Sequence, residues 1–221
     1  FRRGLDLEAD ALDDFHRRAF TILTSTKVAD AFDLGQEDDT LRDAYGRHRW
    51  GQSCLLARRL AEAGVAVINI DATAPNDTTK HFSWDDHAGA FHLDFAQRER
   101  LPQMDQALSA LITDLHDRGL DQKVLVVACG EFGRTPMSQG KKGRDHSPFG
   151  FSIWLAGGGI QGGRTVGATD DLGLRAVDNV FHVRDLHATI LNQLGVDQHR
   201  LTFLQNGREE MLTDIGGNVM K

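Results

Sequence analysis

The chain has 221 residues, a formal net charge of −7 and 40% hydrophobic residues. That length can bury a sizeable core in one large domain, and the composition is ordinary for a globular protein. Net acidity argues against a broad surface for a phosphate backbone, so no nucleic-acid partner is expected. No stretch reaches the roughly 18 consecutive apolar residues of a membrane-spanning helix. The chain opens on Phe1-Arg2-Arg3-Gly4-Leu5, which is basic but has no apolar leader behind it. The expectation is a piece of a longer polypeptide.

Residues 5–24 carry Leu12, Phe15, Ala19, Ile22 and Leu23 at helical spacing. Residues 40–63 repeat the pattern, with Trp50, Leu55, Leu56 and Leu60 as the expected buried stripe and Gly64 as the stop. Residues 65–71 are short, apolar and rich in β-branched side chains, which predicts a buried strand. A polar, irregular stretch over 72–88 precedes a helix over about 90–118. Leu101, Met104, Leu108, Leu111, Ile112 and Leu115 recur there at three and four, and Gly119 closes it. Residues 123–128 and 151–156 read as a second and third strand around a Gly-, Lys- and Arg-rich loop. A turn region over 157–163, a helix over 183–194 stopped by Gly195, and a short β-rich tail from Leu201 complete the chain. Strand, helix, strand at this spacing predicts a βαβ unit.

Cys54, in a helical stretch, and Cys129, at the end of an apolar run, are expected as two buried free thiols in preference to a disulfide, and without a Cys-x-x-Cys pair no cysteine-ligated metal is expected. Asn76-Asp77-Thr78 fits the three-residue glycosylation pattern. The glycines over 157–163 lack the strand–turn–helix context of a nucleotide loop.

Ligands of open α/β sheets gather beyond the carboxyl ends of strands, which directs attention to three loops. In Trp84-Asp85-Asp86-His87, Asp85 and His87 stand two apart. On extended backbone they share a face and can chelate one divalent ion; a capping aspartate beside a solvated histidine fits the same residues. In Cys129-Gly130-Glu131-Phe132-Gly133-Arg134-Thr135-Pro136, Glu131 is the first charged group beyond an apolar strand and needs a partner or a metal. Arg134 is either that partner, holding a turn, or a bidentate binder of an anion. In Gly143-Arg144-Asp145-His146-Ser147-Pro148, Asp145 and His146 offer oxygen and nitrogen ligands, with Arg144 adding positive charge; a polar loop with a satisfied histidine is the alternative. Glu131 follows a strand and His146 precedes one. The connection is short and unhelical for a parallel crossover, so the third strand is expected to return antiparallel and bring both motifs to one sheet edge. Asp185 and His187 open the last helix, Asp185 as a possible cap and His187 as a surface or packed side chain.

Taken in order, these segments resemble a bacterial domain-of-unknown-function family, number 1501, in the alkaline-phosphatase/sulfatase-like superfamily. The resemblance also uses Leu155-Ala156-Gly157-Gly158-Gly159-Ile160, Gly167-Ala168-Thr169-Asp170 and Asp185-Leu186-His187-Ala188-Thr189-Ile190-Leu191, and it covers essentially the whole chain. It implies an α/β fold with a mixed, mostly parallel sheet sandwiched by helices. Residues 1–221 would form the C-terminal part of a single such domain. It implies a hydrolase of phosphate or sulfate esters that uses divalent metal ions, with zinc, calcium and magnesium all open. By position it makes Asp85, His87, Glu131 and His146 ligands; Asp145 joins them from the loop chemistry above, with Arg134 and Arg144 expected to hold a small anionic substrate. By position, Glu131 falls on the acid of the superfamily's Asp-His pair and Phe132 on its histidine, a departure that removes one ligand. The nucleophile is expected upstream of Phe1, and export to the periplasm is implied as well. Two other readings stay open: a non-catalytic relative that binds carbohydrate or protein, and a domain holding calcium structurally.

Overall fold

The computed structural model describes residues 16–17, 25–73, 84–87, 93–140 and 142–220. The chain is mixed α/β, built from helices and small antiparallel sheets. It divides into two compact units, Phe1–Trp84 with Asp94–Leu115, and Asp85–Leu93 with His116–Lys221. Most of the helix expected over residues 5–24, and the glycosylation pattern at Asn76, lie outside the described residues. Among the described residues, no helix is long and apolar enough to cross a membrane.

The first unit is helical. It contains α1 (Thr26–Phe32), a 3-10 turn at Leu34–Gln36, α2 (Asp39–Tyr45), α3 (Arg49–Glu62) and most of α4 (Leu101–Asp117). The single helix expected over 40–63 is two helices, because the chain breaks at Gly46, which has φ +92°. His48 then restarts the helix by accepting the Gly51 N–H on Nδ1 at 3.2 Å, as an N-cap must. Trp50, Cys54, Leu55 and Arg58 form the buried face of α3, while Leu56 and Leu60 are half-buried. Gly64, at φ +96°, ends the helix as the spacing predicts.

Arg58 is 2% exposed and is fully engaged. It pairs with Glu37 at 2.9 Å, Glu62 at 2.6 Å and Asp114 at 2.7 Å. Asp114 also accepts the Tyr45 hydroxyl at 2.9 Å. A buried cation is tolerated here because several carboxylates surround it. Arg59 adds a pair with Glu37 and donates to the Ala31 and Asp30 carbonyls, tying α1 to α3. Ahead of α4, residues Ala96–Arg100 form a wider π turn. Arg100 packs over the Trp84 and Phe95 rings, and Trp84 stacks on Trp50 with centroids 5.5 Å apart.

Residues 65–71 do not form the expected strand. They have no sheet partner among the described residues, and Val67 is 72% exposed. β-branched side chains favour extended backbone, but a strand also needs a ladder to join. The βαβ unit predicted from this segment is therefore absent from the described residues.

Among the described residues, the strands lie in the second unit as four two-stranded antiparallel ladders. β1 (Leu125–Ala128) pairs with β4 (Trp154–Gly157), with Leu125 opposite Gly157 and Ala128 opposite Trp154. The third predicted strand therefore returns antiparallel to the second, as its short connection requires. That connection is more ordered than the sequence suggests, since it folds into a hairpin of β2 (Gly133–Gln139) and β3 (Gly143–Ser147). β5 (Ala168–Thr169) pairs with β6 (Ala176–Asp178), and β7 (Thr202–Gln205) with β8 (Arg208–Met211), which is the predicted β-rich tail. α5 (Val183–Gln193) stops before Gly195, at φ +73°. His182 is its N-cap, and Asp185 completes a capping box by accepting the His182 N–H at 2.7 Å, while its other oxygen accepts the Asn218 N–H at 2.7 Å. His187 is exposed.

Cys54 is buried and Cys129 exposed, both as free thiols. The expectation of two buried thiols fails for Cys129, which lies just beyond the end of β1.

Candidate metal centre

The site is assembled in the second unit by the β2–β3 hairpin. Gly133 opens β2 opposite Ser147, and Arg134 stands opposite His146. Directly opposed residues of an antiparallel pair project to the same face, so the guanidinium and the imidazole emerge together. The register then shifts between Arg134 and Ser138. Pro136, with no N–H to give a ladder, falls in that irregularity. Gly133 is required on contact grounds, because a Cβ there would sit 2.4 Å from the Gly150 carbonyl oxygen.

The short segment Trp84-Asp85-Asp86-His87 is tied to this hairpin by its backbone. The Arg144 N–H donates to the Asp86 carbonyl at 2.7 Å, and Asp86 is buried. The His87 N–H donates to the Asp85 carbonyl at 2.9 Å. A tight turn, not the extended backbone assumed from spacing, brings the two side chains together.

Asp85 Oδ1 is the focus of the cluster. His146 Nε2 lies 2.6 Å from it and His87 Nδ1 2.8 Å. Arg134 reaches the same oxygen through two nitrogens at 3.2 and 3.3 Å, and also donates to the Arg144 carbonyl at 3.3 Å. His146 and His87 meet edge to face with centroids 5.1 Å apart. The Phe132 ring stacks on His146 at 4.4 Å and lies beneath Arg134. The His146 contact first, and the His87 and Arg134 contacts after it, together hold the Asp85 carboxyl at about 2 against the opposing effect of desolvation. Asp85 is therefore an anion at neutral pH, and it remains open to solvent, with a side chain 42% exposed.

Three of the five predicted metal ligands come together. One ligand atom each from Asp85, His87 and His146 lies within 4.8 Å of the others. Glu131 is exposed and is not one of the three. Asp145 is exposed too, and its Oδ1 accepts the His146 backbone N–H at 2.8 Å, so it braces the histidine from behind. Of the predicted anion-holding arginines, Arg134 borders the cluster, whereas Arg144 donates to Ser138 Oγ and to the Gly143 carbonyl. Two relationships were not foreseen, Arg134 with Asp85 and Phe132 with His146. Both follow once the hairpin register is known, and Gly133 between two bulky residues was the signal for it.

The donor chemistry fits a divalent ion. Two imidazole nitrogens and one carboxylate oxygen are ligands of the zinc type, and such ions sit about 2.0–2.2 Å from each, with ligand atoms about 3–3.6 Å apart. The two separations from Asp85 Oδ1, 2.6 and 2.8 Å, would open to meet that.

No curated protein and no solved structure matches the chain. A family does match, over residues 2–221, and it spans both units and every motif of the site. The chain belongs to that family, described as a protein of unknown function, DUF1501.

Proposed function

We propose that this chain contributes a single divalent-metal site, with Asp85, His87 and His146 as ligands, to a metal-dependent hydrolase of phosphate or sulfate esters. The observation that carries the metal reading is the convergence of these three side chains from two separate segments. Their donor set favours an ion of zinc character over calcium or magnesium, which prefer oxygen-only cages. The structural-calcium reading is correspondingly weaker.

The ester chemistry rests on the resemblance to the alkaline-phosphatase/sulfatase-like superfamily. A helix-flanked, mostly parallel sheet belongs to the same proposal. A bound ion would supply charge that polarises a phosphoryl or sulfuryl oxygen. The chain's own residues do the rest. Arg134, at the rim of the cluster, offers planar N–H donors to an anionic ester, and Asp145 braces the His146 backbone. The half-exposed ligands leave a face open to a small solute.

A non-catalytic binding protein is the second reading, favoured by Phe132, which puts an apolar ring beside the cluster. Turnover separates the two. Full-length protein loaded with zinc is assayed against aryl phosphate and aryl sulfate beside a His87→Ala variant. Turnover lost in the variant supports the hydrolase. Bound zinc with no turnover of either ester supports the binding protein.

A further inference from the structure

We infer that Phe132 is a positioning residue for the candidate metal site, fixing the direction of the His146 imidazole; this rests on the metal reading above. Three contacts define where that ring lies. Nε2 faces Asp85 Oδ1 at 2.6 Å. One edge meets His87 at 5.1 Å between centroids. One face is covered by Phe132, nearly parallel at 29° and 4.4 Å away. The first two contacts are with fellow ligands, so they do not orient His146 independently of the ion. Phe132 does, because it carries no ligand atom and its ring blocks the swing that would turn Nε2 away from Asp85.

The backbone around Phe132 is arranged for this. Gly133 lets β2 start hard against the segment after β3, where a Cβ would be 2.4 Å from the Gly150 carbonyl oxygen and 3.3 Å from that of Ser147. Phe132 thereby reaches the imidazole. Arg134, on the other side of Gly133, reaches Asp85. The tripeptide Phe132-Gly133-Arg134 thus orients one ligand from each of the two segments that form the site. Groups that orient a metal-binding histidine commonly contribute about 10- to 100-fold in affinity.

The test is titration of the full-length protein with cobalt(II) and with zinc(II) under chelator competition. Wild type is compared with Phe132→Ala, Phe132→Leu and Phe132→Tyr, with folding checked by circular dichroism. Phe132→Ala is expected to weaken zinc about 10- to 100-fold and to change the cobalt absorption spectrum. Phe132→Leu fills similar space without a ring face and should also lose affinity, whereas Phe132→Tyr should restore both readouts. In the metal-free protein, the His146 ring protons should shift upfield from the Phe132 ring current and lose that shift in Phe132→Leu. Wild-type affinity and spectrum in folded Phe132→Ala and Phe132→Leu, or no ring-current shift, would overturn the inference and leave the metal reading standing. Wild type that takes up neither ion would overturn the metal reading itself.

Discussion

Nε2 of His146 lies 2.6 Å from Oδ1 of Asp85, although 61 positions separate them in the chain. The contact depends on the Arg144 N–H holding the Asp86 carbonyl, which sets the Asp85 segment along β3. Replacing Asp85 by Asn should therefore do two things. It should weaken ion uptake, since an amide oxygen is a poorer ligand than a carboxylate, and it should leave the hairpin folded. Circular dichroism with a zinc titration checks both.

The buried polar network of the first unit should dominate its stability. Asp114→Ala removes a carboxylate held by Arg58 at 2.7 Å and by the Tyr45 hydroxyl at 2.9 Å. Glu37 and Glu62 still balance the Arg58 charge, but the Tyr45 hydroxyl and Arg58 Nε lose a buried acceptor, which costs about 1–3 kcal/mol. Denaturant unfolding should show a loss of that size. A loss below about 1 kcal/mol, the range of exposed pairs, would mean that solvent reaches the network.

Asp185 supplies a pH-dependent contribution to the second unit. Its carboxylate accepts N–H groups from Asn218 and His182, in that order of effect, which holds it below the ordinary carboxylate range. A depressed folded-state value means the contribution is complete above the unfolded-state value, about 3.9, and is lost as pH falls through the lower folded value. Asp185→Ala should cost about 1–2 kcal/mol at pH 7, as for loss of a helix cap. Unfolding measured at pH 7 and pH 3 should show the gap to wild type narrowing at the lower pH.

The two thiols should differ in reactivity. Cys129 is exposed and Cys54 buried, and burial pushes the Cys54 thiol up to about 11. A thiol reagent should modify one cysteine rapidly in the native protein and both in denaturant. Rapid modification of both would mean that α3 opens readily.

Much of this was legible in the sequence, for reasons that differ by element. α5, Gly64 and Gly195 were readable because caps and helical periodicity are local. The antiparallel return of β4 was readable because a short, unhelical connection leaves one option. Asp85, His87 and His146 were named by residue type, but their meeting depends on hairpin register, which periodicity does not encode. Residues 65–71 misled because β-branched residues signal extended backbone without supplying a neighbouring strand. The split of the 40–63 helix is not in the apolar periodicity, which runs on across Gly46; the restart is set by the His48 side chain as N-cap. Glu131 was placed by the logic that a charge beyond an apolar strand needs a partner; exposure to water meets that need instead.

The metal reading requires Asp85, His87 and His146 to bind one ion together. The most direct measurement is a zinc titration of metal-free full-length protein by calorimetry, beside His87→Ala and His146→Ala. The prediction is one ion per chain in wild type and loss of tight uptake in either variant. No uptake by wild type, or equal uptake by both folded variants, would contradict it.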